Sequence, residues 1–217
     1  MRRWVARVAV VAAVVGAAAS AAGTPVAGGP ETHALLSGLP QAGVLLGSAR
    51  APVTVIEVAD LQCPFCRRFM LSGLPGIVRD YVRPGRVRFA FNGVAYLGPQ
   101  SAPALDAVLA AGVQNRLWNY PELLYHNQGR ENSGWVTEDL LRAVARHIAG
   151  LDFRRWLADR RARGIVVART NAARLAQQLR VPGTPAFFVT RKGRRPIPVL
   201  ASVPGPLRAA IERQLRR

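Results

Sequence analysis

A β-branched run feeds straight into two cysteines spaced by two residues, and the residues after them read as a helix. Val53-Thr54-Val55-Ile56-Glu57-Val58 has the composition of a buried strand. Ala59-Asp60-Leu61-Gln62 then leads into Cys63-Pro64-Phe65-Cys66 and on to Arg67-Arg68-Phe69-Met70. Pro64 suits a first helical turn, where a missing N–H costs nothing. Few folds place a strand, a tight turn and a Cys-x-x-Cys helix start in this order. A sulfur at such a helix start faces unpaired backbone N–H groups and the positive end of the dipole, and both favour its thiolate. The thiolate is the form that attacks a disulfide. Cys66 lies one turn along, within reach of Cys63. A purely structural disulfide of this spacing has weak justification, because so short a loop constrains the unfolded chain little. Arg67 and Arg68 either add positive potential or form a solvated helix face.

Composition narrows the alternatives. Two cysteines exclude a disulfide-stapled miniprotein and a four-cysteine zinc site. The three histidines, His33, His126 and His147, stand at no ligand spacing from them, and no metal or organic cofactor is indicated. The net charge of +18 raises nucleic acid as a partner. Against it, the basic residues are nearly all arginine, with Lys192 the only lysine, and they are scattered without a run that would make a binding face.

The N-terminus has the grammar of export. Arg2, Arg3 and Arg7 precede an apolar run from Val8 to Ala22, and Ala19-Ser20-Ala21 is an A-x-A cleavage pattern. Residues 1–22 are expected to be a signal peptide or an uncleaved anchor. Residues 23–42 read as a Gly-, Pro- and Ala-rich linker, and the domain is expected over 43–217. In it a strand near Gly43–Leu46 precedes the β-branched one. Gly73 and Pro75 are expected to interrupt the first helix, which resumes to Tyr81-Val82. Val87–Phe91 is a further strand. A mostly helical block spans about 100–168, with Ser101 as a candidate cap. Leu140, Leu141, Val144, Ala145 and Ile148 form its apolar stripe. Ile165 to Leu179 is another helix. Val181-Pro182-Gly183-Thr184-Pro185 leads into the strand Ala186–Thr190, then Ile197–Leu200 and a closing helix over Leu207–Leu215. This order predicts an α/β thioredoxin-type sheet with a helical insertion between the central strands.

Three blocks, in order, make the resemblance specific. Ala51–Glu57 with Asp60-Leu61-Gln62-Cys63-Pro64-Phe65-Cys66 resembles the opening of DsbA-like thiol:disulfide oxidoreductases. Leu117-Trp118-Asn119-Tyr120 with Leu123-Leu124 and Asn127-Gln128 is similar to their helical insert. Val181–Val189 resembles their cis-proline loop. The resemblance implies that Cys63 is the nucleophile and Cys66 the resolving cysteine. It implies a cis Pro185, where a trans proline opening a strand is the alternative. Pro64, Phe65, Thr184 and Pro185 would then meet a bound peptide, with the Thr184 backbone offering it strand-like hydrogen bonds. Glu57 occupies the place of a buried acid that relays a proton to Cys66; the other reading is an exposed strand residue. Phe65 departs from the strongly oxidising members, which carry histidine there. A less depressed Cys63 pKa and a less oxidising disulfide are expected than in those members. The implied function is disulfide formation in exported, cysteine-bearing clients outside the cytoplasm, in the periplasm or at the outer face of the membrane. A membrane quinone-linked partner would reoxidise a monomeric protein. A reductase or isomerase on the same scaffold, and a non-catalytic binding or chaperone module, are the competing readings.

Overall fold

A computed structural model describes residues 24–199 and 204–216. The expected signal or anchor over 1–22, and the Leu200 end of the last strand, lie outside the described residues. The sheet is built on Val53–Ala59 (β3), whose apolar side chains are buried at both ends of the strand. β3 pairs in parallel with Val87–Gly93 (β4) and antiparallel with Ala186–Arg191 (β5). Short strands extend each side. Gln41–Ala42 (β1) and Leu45–Leu46 (β2) continue beyond β4, and Ile197–Val199 (β6) continues beyond β5, in the order β1-β2-β4-β3-β5-β6. A strand flanked on both sides satisfies all its backbone donors and acceptors, so its whole length can be apolar.

The segment after Cys63 does not break at Gly73 and Pro75. Pro64–Arg68 (α2), a π-helical turn over Phe69–Gly73, Leu74–Ile77 (α3) and a second π-helical stretch over Val78–Val82 form one continuous rod. Pro75 has no N–H to give the preceding turn, and the wider π turn in front of it absorbs the mismatch. Gly73 suits this crowded place, since a Cβ there would meet the Phe69 ring at 2.8 Å.

The helical block between β4 and β5 comprises Ser101–Val113 (α4), Asn119–His126 (α5), Glu138–His147 (α6), Phe153–Asp159 (α7) and Arg163–Gln178 (α8). Its expected stripe, Leu140, Leu141, Val144, Ala145 and Ile148, is buried. Large aromatic residues anchor the block to the sheet. Trp118 is fully buried, meets Phe89 and Phe91 edge-on at 5.9 and 6.0 Å, and donates from Nε1 to the Val44 carbonyl at 3.1 Å. Trp156 is equally buried and donates to the Ala107 carbonyl at 2.9 Å. A last helix, Pro204–Leu215 (α9), packs against β5 and β3.

Two local expectations change. Ser101 does not cap α4: Gln100 holds that position, and the Ser101 hydroxyl instead donates to Asp60 at 2.8 Å. The stretch read as linker contains a helix, Gly29–Leu36 (α1), which buries Thr32, Leu35 and Leu36 and packs on α5. Two turns led by Pro30 carry too short a period to stand out from a Gly- and Pro-rich background. Gly28 precedes α1 at φ +91°, and a Cβ on it would strike the His126 ring.

Trp118→Ala should cost about 3–5 kcal/mol of stability, because it opens a cavity against β4 and removes one of the two hydrogen bonds to the Val44 carbonyl. Urea unfolding followed by circular dichroism checks this; a loss below about 1 kcal/mol would mean that the insert does not stabilise the sheet.

Candidate active site

The turn from β3 to α2 is built around Asp60. Its buried carboxylate accepts from the N–H groups of Gln62, Tyr96 and Leu97 and from the Ser101 hydroxyl, at 2.7–3.0 Å. Its carbonyl accepts from the Cys63 N–H and from the Tyr125 hydroxyl, both at 3.0 Å. From α5's C-terminal side, Gln128 donates to the carbonyls of Leu61 and Cys63 at 3.1 and 3.3 Å. The insert therefore fixes the turn that carries the first cysteine. Cys63 is the extended residue before the helix (φ −71°, ψ 120°), and Pro64 opens the helix as expected.

The cysteines are unpaired thiols, both buried, Cys63 at 3% exposure and Cys66 at none. The Thr184–Pro185 peptide bond is cis, as the resemblance implies. Thr184 adjoins the first cysteine: Cys63 Sγ lies 3.2 Å from the Thr184 carbonyl oxygen. A groove of about 900 Å³ runs beside it, lined among others by Phe65, Arg180, Pro182, Thr184 and Pro185. Phe65 is half exposed at the rim, with the Arg68 guanidinium 5.5 Å above its ring. Arg67 is not a free charge beside the sulfur; its Nε donates to the Tyr125 carbonyl at 2.8 Å.

The two sulfurs differ in acidity. Cys63 falls from an ordinary 9.0 to about 6. The largest cause is a hydrogen bond from the Cys66 thiol, opposed by burial and reinforced by Thr184 and by the N–H groups of Cys66 and Phe65. Cys66 rises well above 9.0, first through burial and then because it donates to Cys63. At neutral pH this is a thiolate held by a neighbouring thiol. The depression is reached with phenylalanine, not histidine, ahead of the second cysteine.

Glu57 is not an exposed strand residue: no part of it is exposed, and neither carboxylate oxygen has a hydrogen-bond partner among the described residues. On β3 it stands opposite Phe91 and Phe187. Burial, and then the like charge of Glu122, push its pKa from 4.5 up to about 8. It also lies near enough to Cys66 to raise that thiol's pKa. Glu122 is a buried acid that sequence reasoning misses, and its charge reaches Glu57; its only signal in the sequence is an acid next to Leu123-Leu124-Tyr125.

Residues 40–197 match the family profile described as Thioredoxin. The chain belongs to the thioredoxin family. Its relatives carry the resemblance to the DsbA-like branch. Probable disulfide bond formation protein D of Bacillus cereus is 29% identical over 147 residues, 66% of this chain and 68% of that one. The crystal structure of oxidised BdbD from Bacillus subtilis superposes with a TM-score of 0.72 at 25% identity, over 84% of this chain and 99% of that one. A further match of 152 residues, at 36% identity, is to Na(+)/H(+) antiporter NhaA 3 of Salinispora tropica, covering 69% of this chain but 21% of the antiporter. The expected thioredoxin fold with a helical insert and the thiol:disulfide oxidoreductase assignment both hold.

The two acidity shifts can be measured separately. Alkylation of the reduced protein by iodoacetamide should modify Cys63 with a midpoint near pH 6 and leave Cys66 unreacted at neutral pH; mass spectrometry reads both, and a Cys63 midpoint at the ordinary 9.0 would contradict the assignment. Glu57 keeps its proton in the fold up to about 8 and loses it in the unfolded chain near 4.5. Stability is therefore whole below 4.5 and falls as pH rises toward 8. Glu57→Gln should raise the Tm at about pH 9 by about 5 °C and match the wild type at about pH 4. An equal Tm at both pH values would refute the buried, proton-holding acid.

Proposed function

We propose that this oxidoreductase introduces disulfides into exported proteins outside the cytoplasm. The observation that carries the proposal is the thiolate–thiol asymmetry of Cys63 and Cys66 beside the groove at Thr184-Pro185. A client thiolate attacks the Cys63 sulfur of the oxidised pair. The Cys63–Cys66 bond breaks, its electron pair leaves on Cys66, and Cys66 takes up a proton. A second client thiolate then attacks the client sulfur of the mixed disulfide. The client disulfide forms and Cys63 departs as a thiolate, which its hydrogen bonds stabilise.

Reoxidation reverses the roles. The Cys63 thiolate attacks the disulfide of an oxidising partner, for which a membrane quinone-linked protein is the class the family implies. Cys66 must then lose its proton to close the pair, and Glu57 is the acid–base group that serves it. Phe65, Pro64 and Pro185 offer apolar surface to an unfolded client, and the Thr184 backbone offers it strand-like hydrogen bonds. The export pattern in residues 1–22 supports an extracytoplasmic setting, by cleavage or by anchoring. Among the described residues no helix is long and apolar enough to cross a membrane.

Cys63→Ser should abolish oxidation of a reduced, cysteine-bearing client protein. Cys66→Ser, given a client whose cysteines are already paired, should instead accumulate a client–Cys63 mixed disulfide visible on a non-reducing gel, because its Cys63 thiolate attacks the client disulfide, one client sulfur leaves as a thiolate, and no Cys66 remains to release the client. Client oxidation retained by Cys63→Ser would overturn the mechanism in favour of a binding module.

A further inference from the structure

The mechanism requires a proton to reach Cys66, and later to leave it, while a client or an oxidant covers the groove above Cys63. Glu57 supplies the inner half of that route and has no exposure of its own. A second buried acid is close enough for its charge to raise the Glu57 pKa. Glu122 on α5 is 3% exposed, and its Oε2 has no hydrogen-bond partner among the described residues. Its Oε1 lies 3.7 Å from His126 Nε2, one turn along the same helix.

Glu122 and His126 line a cavity of about 460 Å³ under α1, together with Glu31, Leu71 and Pro75. That cavity shares no lining residue with the client groove. Glu31 is exposed at its mouth. Each acid senses the next: Glu31 raises the pKa of Glu122, Glu122 raises that of Glu57, and Glu57 raises that of Cys66. Burial first, and then Glu31, push Glu122 up to about 8, which suits a group that exchanges a proton near neutrality.

The cations nearby do not quench it. Arg79 pairs with Asp80 at 2.7 Å, and Arg83 donates to the carbonyls of Ala34, Leu35 and Ser37 at 2.9–3.0 Å. Arg67 donates from α2 to the Tyr125 carbonyl and keeps its charge, which helps to lower the His126 pKa. Burial lowers the His126 pKa from its ordinary 6.5, and its Nε2, on the side of Glu122, is buried without a hydrogen-bond partner among the described residues.

We propose that Glu122 and His126 form the outer leg of a proton path, running from Cys66 through Glu57 to the cavity under α1, on a side that a bound client leaves open. The inference rests on Glu57 serving Cys66. On reoxidation the ionised form of Glu57, a minor state at neutral pH, takes the proton of the Cys66 thiol, and the new thiolate attacks the Cys63 sulfur. The bond from Cys63 to the oxidant breaks with its electron pair on the departing sulfur. The proton then passes from Glu57 to the Glu122 carboxylate, and through His126 to solvent. During client oxidation it runs inward along the same groups.

Reduced protein mixed with excess glutathione disulfide separates the two steps. Acid quenching and mass spectrometry resolve formation of the Cys63–glutathione disulfide from its unimolecular closure by Cys66. Glu122→Gln should leave the first step within about twofold of wild type, slow closure at neutral pH by about tenfold, and move the pH midpoint of closure downward. Glu122→Asp should recover most of the rate, and His126→Gln should slow closure in the same direction. Closure unchanged in Glu122→Gln across the range from mildly acid to mildly alkaline pH, while Glu57→Gln slows it, would overturn the outer leg and leave the Glu57 reading standing. If neither variant slows closure, both readings fall. Loss of both steps together in Glu122→Gln would make the residue structural and overturn the inference.

Discussion

Everything at this site depends on β3 being the middle strand of a sheet that is hydrogen-bonded on both sides. Its parallel register with β4 and antiparallel register with β5 set Glu57 between Phe91 and Phe187. The same registers end the strand at Ala59, opposite Gly93, so that the chain turns at Asp60 and delivers Cys63 to a helix start. β5 enters the sheet at Ala186, directly after Thr184-Pro185. One slip of register would turn Glu57 to the other face and carry the proline loop away from the sulfur.

Hydrogen bonding and burial then sort three ionisable groups into two states. Cys63 has donors aimed at it and becomes a thiolate; burial keeps the protons on Cys66 and Glu57 near neutrality. A disulfide whose reduced form is stabilised by a favoured thiolate is the better oxidant. Phenylalanine at 65 offers no side-chain donor to the sulfur, yet the Cys66 thiol and the backbone N–H groups hold Cys63 near 6. Apolar surface at the rim replaces a polar contact next to the reacting sulfur.

Local signals make the catalytic face legible. The β-branched run, the Cys-x-x-Cys spacing, Pro64 and the Thr184-Pro185 loop each act within a few residues of one another. The features that stay hidden depend on long-range contact. Tyr125 and Gln128 brace the turn from about 65 residues away, and Glu122 acquires meaning only because α5 packs behind the Cys66 helix. Ser101 looks like a cap because its neighbours are helical, but Asp60 competes for its hydroxyl. Gly73 and Pro75 carry a real helix-breaking signal, which π turns absorb because packing against α5 and α9 favours an unbroken rod.

The reduction potential of the Cys63–Cys66 pair tests the central claim most directly. The protein, taken from residue 24 onward, would be equilibrated in graded glutathione buffers, trapped, and its free thiols counted by mass. A stabilised Cys63 thiolate predicts a midpoint inside the glutathione range, well above the roughly −300 mV below which structural disulfides lie. A pair that remains oxidised in every buffer would contradict the account, because a disulfide that stable cannot be passed to a client.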